Sequence, residues 1–383
     1  MKVYNTVIVG AGIAGIAAAK TLQRSDPSLD WLIVSPDIGG RIVSSKDGAV
    51  QYGAYFAISN YKNAFSVIEK GKRLRVFNLG LYRPNQKPRS GYRIFLHPIQ
   101  VIRLLVMMGR FSKRYKKFKA VSAIAGQKKA LQADSYLHKL FTTNAEQFAD
   151  EHGFGQIARD YISFWVRAIS FTTLNRVSAF DLLRFSAGAF SGYHHYSFEP
   201  NVLRNEWGDK YLQAEVNSIN RAKHQGHYEI QVGDKTVLAK KVILATPPGV
   251  TQGLIQLERV KEPIDAYMLH IDGEMHPKWH TKADFLVFDE SYNVISIAKE
   301  KDGSFLLYAR LPEPDLDKFF KSHELIATKH WSPAFNLVVD DTLIDQEIDD
   351  HFYIAGDFNI AGIEDAYITG VYAANRVLQE SDN

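Results

Sequence analysis

The stretch Val7-Ile8-Val9-Gly10-Ala11-Gly12-Ile13-Ala14-Gly15, close to the N-terminus, decides the fold. A short apolar strand runs into G-x-G-x-x-G, and Ile16-Ala17-Ala18-Ala19-Lys20-Thr21-Leu22 reads as a tightly packed helix. Strand, glycine turn and helix in that order form the dinucleotide-binding fingerprint in its proper context. Gly10 permits the tight turn, and Gly12 lets the backbone approach a pyrophosphate. Gly15 brings helix and strand together. Unpaired N–H groups and the helix dipole favour an anion at that helix end. Residues 7–19 are also apolar and follow Lys2, as in a leader peptide. The glycine spacing, with no cleavage site after it, argues against that reading. No other stretch reaches the roughly eighteen uncharged apolar residues of a membrane span. The expectation is a cytoplasmic protein, with peripheral attachment to a membrane left open.

At 383 residues, two domains or one large domain with a cap are expected. The chain has no cysteine, which excludes disulfides, thiolate metal sites, a cysteine nucleophile and a cysteinyl-linked cofactor. With 23 Phe, 19 Tyr and 5 Trp, it can line a sizeable apolar pocket. The net charge of +4 conceals a polarity. The 64 residues from Lys70 to Ala133 hold 17 Lys or Arg and no Asp or Glu, so the rest carries 29 basic and 42 acidic residues. From Asn336 to Asn375 there is no Lys or Arg at all. Such a block marks a solvated face or an interaction surface.

Further apolar runs follow the fingerprint. Trp31-Leu32-Ile33-Val34 reads as a second parallel strand, followed by Ser35-Pro36-Asp37-Ile38-Gly39-Gly40-Arg41 and then Gln51-Tyr52-Gly53-Ala54. Lys241-Val242-Ile243-Leu244-Ala245-Thr246-Pro247-Pro248 reads as a buried strand ending in a turn. Last come Phe352-Tyr353-Ile354-Ala355-Gly356-Asp357 and Gly362-Ile363-Glu364-Asp365-Ala366-Tyr367-Ile368-Thr369-Gly370, which opens a C-terminal helix. This order resembles the flavin-dependent amine oxidase and protoporphyrinogen oxidase superfamily. The shared marks are G-x-G-x-x-G, G-G-R after the second strand, an A-x-P-P turn, A-G-[DE], and a G-A-x-x-S-G-like helix start. They cover about a third of the chain, and the middle supplies no matching motif.

The resemblance implies non-covalently bound FAD. It gives Gly10, Gly12, Ala14, Gly15, Gly40 and Arg41 to the pyrophosphate and Ser35 or Asp37 to the adenosine ribose. Gly53, Ala54, Thr246, Pro247, Gly356 and Thr369 belong to the matching turns, and backbone around Val216 lies at adenine. Asp357 would accept a ribityl hydroxyl, and backbone N–H groups of Asp365 and Ala366 would face the flavin N1–C2=O edge. Two residues depart from the pattern. Ser35 stands where a ribose carboxylate is usual, so either Asp37 substitutes or the hydroxyl binds more weakly. Asp365 stands where the last helix usually begins with a small residue. A carboxylate near flavin N1 would oppose negative charge on the reduced ring unless it points away; the other reading is an N-terminal helix residue favoured by the dipole.

The implied fold class is α/β (α+β overall): a Rossmann-like FAD-binding domain with an inserted substrate domain of helices and a mostly antiparallel sheet. Residues 1–60, 205–255 and 335–383 would form the first, and 61–204 and 256–334 the second. Phe285–Phe288, Val294–Ile297 and Phe305–Tyr308 read as short strands between turns.

The implied reaction is hydride transfer to flavin N5 from a C–N (amine) or C–C bond of a largely apolar substrate, with reoxidation by oxygen or a quinone. A membrane-surface desaturase or porphyrinogen-type oxidase is one alternative; a non-oxidative flavoprotein, an isomerase or interaction protein, is another. Trp331 and Phe335, in His330-Trp331-Ser332-Pro333-Ala334-Phe335, are candidates for an aromatic cage at the ring, against a reading as core aromatics. Lys278 is a candidate counterpart of the family's N5-bridging lysine, against a surface lysine. His276 and His280 have i,i+4 spacing, but Pro277 breaks the helix that would align them, and no metal is expected. Tyr193-His194-His195-Tyr196 reads as a polar turn or a pocket mouth. Residues 98–119 begin with a proline, then run from an apolar half into a cationic-aromatic half, which suits a helix on an anionic membrane or a lobe helix with a solvated basic face. No nucleic-acid partner is expected, because a basic face without a binding module is weak evidence.

Overall fold

The computed structural model describes residues 2–46, 48–75, 77–222, 226–257, 259–279, 282–283 and 285–379. The fingerprint folds as expected: strand Val3–Gly12 passes directly into helix Ile13–Ser25. That strand is central in an eight-stranded sheet, paired in parallel with Trp31–Gly39 on one side and Lys235–Leu244 on the other. Phe352–Ile354 and Tyr211–Gln213 extend the parallel set outward, and the hairpin strands Val216–Arg221 and Tyr228–Val232 join Lys235–Leu244. Val7, Ile8, Trp31, Ile33, Val242, Ile243, Tyr353 and Ile354 are all fully buried. Helices cover a parallel sheet on its faces, so its strands are continuous apolar runs without alternation.

The C-terminal helix Ile363–Gln379 lies against the fingerprint helix, and Gly370 sets the distance. A Cβ there would stand 2.0 Å from the Ala14 carbonyl oxygen. Gly15 works in the same way toward its own turn, where a Cβ would meet the Gly10 oxygen at 1.9 Å.

A second sheet of seven strands runs Phe320–Phe335, Ile264–Met275, Phe305–Ala309, Val294–Lys299, Phe285–Phe288, Leu79–Tyr82, Arg89–Ser90. It is antiparallel except where Phe285–Phe288 pairs with Leu79–Tyr82. The three strands read from sequence are present. The sheet also takes strands from the first, mainly helical insertion, so the two inserted segments build one body. Helix Pro98–Ala125 buries Val101, Leu104, Met108, Phe111, Phe118 and Ser122 and leaves its opposite face in solvent. Its core centres on the Phe180 ring, which Phe111, Tyr115, Phe118 and Phe141 surround at 5.1 to 6.4 Å. Tyr193–Ser197 forms a strand between Ala57–Ile58 and Glu69–Leu74, which replaces the turn read there from sequence.

Candidate functional site

Glycines define the first half of the site. Gly10, at φ +100°, sits under the Thr246 turn, where a Cβ would lie 2.6 Å from the Ala245 oxygen. Gly12 begins the fingerprint helix, and nothing stands within 4 Å of a Cβ built on it. Gly40, at φ +57°, has its Cβ direction 3.1 Å from the Gly12 Cα, so the G-G-R turn borders the fingerprint turn. The result is open space beside helical N–H groups, the shape and polarity a pyrophosphate requires.

Residues from the far end of the chain close this groove. Pro247 caps helix Pro248–Leu254, and the Thr246 hydroxyl lies 2.7 Å from that of Thr251. The Gly356 N–H donates to the Thr369 Oγ1 at 2.7 Å. Arg41 donates from Nη2 to Asp357 at 2.6 Å and from Nη1 to the Ala334 carbonyl at 2.8 Å. Burial works against its charge, but the Asp357 carboxylate outweighs it and raises the guanidinium pKa. Both ends of the fork therefore have protein acceptors, and Arg41 joins the nucleotide segments to the end of the long strand Phe320–Phe335.

The two departures resolve structurally. The Ser35 hydroxyl donates to the Asp37 carbonyl at 2.7 Å, and the Asp37 side chain is exposed. The Ser35 carbonyl receives Ala214 N–H at 3.2 Å and Tyr211 Oη at 3.1 Å, which brings the segment leading to Val216 alongside it. The Asp365 carboxylate turns into the helical lobe, where Tyr115 Oη donates to both its oxygens at 2.8 and 2.7 Å. Arg184 reaches it at 3.4 Å and Asp181 at 2.7 Å. Burial raises the Asp365 pKa in spite of Arg184. Glu364 faces elsewhere and accepts N–H groups of Lys62, Asn63 and Ala64. Ala366 N–H is taken by the Gly362 carbonyl.

The second half is an apolar cavity of about 70 Å³ beside the seven-stranded sheet, lined by Tyr55, Trp165, Tyr193, Phe285, Leu306 and Tyr308 among others. It abuts the Gln51–Ala54 segment. Tyr308 Oη donates to the Gly53 carbonyl at 3.0 Å, and Trp331 Nε1 donates to the Tyr52 carbonyl at 2.9 Å. Ala54 N–H bonds the Arg41 carbonyl at 2.7 Å, which ties the cavity wall to the nucleotide groove. A Cβ on Gly53 would strike that carbonyl at 2.1 Å. Phe335 packs at 5.8 Å on Phe171, which stacks on Tyr308 at 5.0 Å.

A buried carboxyl stands behind the Tyr55 hydroxyl of the cavity wall. Tyr55 Oη donates to Glu300 Oε1 at 2.8 Å, and Glu300 is only 9% exposed. Burial pushes its pKa up to about 7, against the pull of the Tyr55 hydrogen bond. Sequence reading missed Tyr55, Glu300, Tyr308 and Phe171. Tyr55 directly follows Gly53-Ala54 and could have been found; Glu300, within Lys299-Glu300-Lys301-Asp302, looks like a surface turn.

Lys278 is not brought to this site. It is exposed beside Trp279, near the Met275–Phe320 end of the sheet, whereas Trp331 pairs with Ala266. Eleven residues of strand separate the two ends, about 35 Å. Pro277 lies in a short 3₁₀ turn, Pro277–Trp279. His276 is hydrogen-bonded to the Asp317 carbonyl at 2.9 Å, and His280 lies outside the described residues. No group of three potential metal ligands occurs among the described residues.

Comparison with known proteins agrees with this architecture. The profile of the NAD(P)-binding Rossmann-like domain matches residues 8–70. The whole chain superposes on cyclohexylamine oxidase from Brevibacterium oxydans IH-35A with TM-score 0.65 and 14% identity, covering 100% of both chains. The chain has the fold of this amine oxidase. A fatty acid isomerase from P. acnes that produces CLA shares the fold with TM-score 0.66 and 13% identity over 98% of each chain. A protein from Exiguobacterium sp. 255-15, named as a candidate protoporphyrinogen oxidase, does so with TM-score 0.65 and 11% identity, over 99% of this chain and 100% of the other. No curated protein sequence matches the chain significantly.

Proposed function

We propose that this protein is an FAD-dependent oxidoreductase that oxidises a C–N or C–C bond of a largely apolar substrate. The observation that carries this reading is the junction at Gly53, where the wall of the apolar cavity is hydrogen-bonded into the dinucleotide groove. The residues present suit FAD: an open glycine turn at a helix N-terminus, a buried carboxylate at Asp357, and small residues at Gly40, Gly53 and Gly356. Bound FAD supplies a two-electron acceptor that takes hydride from a C–H bond.

The chain's own residues then have separable tasks. Gly12 and the first helical turn bind the pyrophosphate. Trp331 and Tyr308 fix the Tyr52–Gly53 carbonyls and so position the cavity wall. Phe285, Leu306 and Trp165 exclude water and hold an apolar substrate by contact area. Tyr55 and Glu300 handle the proton: Tyr55 Oη, which lines the cavity, would take the proton that the substrate releases as it passes its own to the ionised Glu300 carboxylate, whose pKa near 7 suits that exchange.

A second reading, isomerisation through transient oxidation, is supported by the shared fold of the fatty acid isomerase and by the hydrocarbon character of the cavity. The test is an absorption spectrum of the purified protein, followed by anaerobic titration with amines and with lipophilic donors. Flavin bands near ~370 and ~450 nm that bleach with one donor class support the oxidase and name the bond. Bands that persist while a fatty acid's double bonds move support the isomerase. A colourless protein that takes up no FAD refutes both.

A further inference from the structure

Seven of the fifteen large hydrophobic side chains exposed among the described residues fall between Tyr92 and Val106. Leu96 and Ile99 are each 67% exposed, Ile102 and Val106 59%. Along the helix Pro98–Ala125, positions 99, 102, 106, 110, 113 and 117 share one face, because offsets of 3, 4 and 7 residues return to the same side. That face reads Ile, Ile, Val and then Arg, Lys, Lys, all exposed. It changes from hydrocarbon to cation along its length and lies in the segment with 17 basic and no acidic residues. A folded lobe gains nothing from holding these side chains in water.

From this we infer that the face is a docking surface for an anionic lipid bilayer. The hydrocarbon end, Leu96, Ile99, Ile102 and Val106, enters the acyl boundary, while Arg110, Lys113 and Lys117 meet lipid phosphates. Charge complementarity selects the occupant, since a second copy of the same face carries no acidic side chain to meet these cations, whichever way a two-fold contact runs. The surface also leads to the cavity. The Phe77 ring packs on exposed Phe95 at 5.0 Å and on Trp165 of the cavity wall at 5.1 Å. A docked molecule thus sets one ring between the bilayer and the substrate space. The docking itself is independent of the redox reading; only the delivery of a lipophilic substrate rests on it.

Flotation of the full chain with vesicles of phosphatidylcholine alone, or mixed with phosphatidylglycerol, tests the inference at low and high salt. Binding is expected only to the anionic vesicles, reversed by salt. Ile99→Glu/Ile102→Glu and Lys113→Glu/Lys117→Glu should each weaken it about thirty-fold or more without unfolding the protein, as all four side chains are solvated already. Phe95→Trp should shift to blue and be quenched by brominated acyl chains, while Leu311→Trp should not. Vesicle binding that ignores all four substitutions, or no binding accompanied by self-association through Ile99, would overturn the proposal.

Discussion

Replacing Glu300 by Gln should change how stability depends on pH in a direction fixed by the structure. The folded protein holds the Glu300 proton up to about pH 7, whereas the ordinary value is 4.5. Between these values the native state binds more protons than the unfolded chain. Stability therefore falls as pH rises through the window and is level above it. A 2.5-unit displacement corresponds to about 3 kcal/mol, of which about 2 kcal/mol is lost between roughly pH 5 and 7. Other groups titrate over the same range, so the quantity to measure is the difference between wild type and Glu300→Gln. Gln keeps an oxygen for the Tyr55 hydroxyl and cannot ionise. Urea unfolding at intervals of about half a pH unit should show the wild type losing about 2 kcal/mol relative to the variant, with the gap constant above about pH 8. Parallel curves would refute the reasoning, and with it the assignment of proton exchange to this carboxyl.

Gly12→Ala should lower stability by no more than about 1 kcal/mol, the cost of an alanine at the helix N-cap, because the new methyl meets nothing in the protein, yet abolish or strongly weaken FAD uptake measured by fluorescence. Gly15→Ala, whose Cβ would lie 1.9 Å from a carbonyl oxygen, should instead lower the melting temperature and the yield of folded protein. Arg184→Met leaves Asp181 and Asp365 without their shared cation and should cost about 3–5 kcal/mol in urea unfolding at neutral pH, less in acid where Asp365 is protonated. Phe180→Ala empties the space inside the ring cluster of the helical lobe and should cost about 3–5 kcal/mol in the same assay.

What the sequence disclosed, and what it hid, follows from where the physical information sits. The glycine turn was legible because its requirements are on the backbone. Gly10 and Gly15 each occupy a place a side chain cannot, and the G-x-G-x-x-G spacing reports that. The parallel strands were legible because burial on both faces erases polar positions. Burial of Val101, Leu104, Met108 and Phe111 likewise follows the helical period of the basic segment. The long strand Phe320–Phe335 escaped because most of it is exposed and carries Lys321, Glu324 and Lys329. Long-range pairing also hid the parallel contact of Phe285–Phe288 with Leu79–Tyr82, some two hundred residues apart in the chain. The same cause hid the Tyr55–Glu300 pair. Glu300 has charged neighbours and would be a solvated turn residue in isolation. Tyr55 meets it across 245 residues, and the pairing leaves it a buried acid behind the cavity wall. Asp365 shows the same dependence, since Tyr115 and Arg184 arrive from two helices of the insertion. Side-chain chemistry at this site is therefore a product of tertiary pairing, and the Glu300 and Gly12 experiments probe its two halves separately: one perturbs a proton the fold created, the other a space the backbone left open.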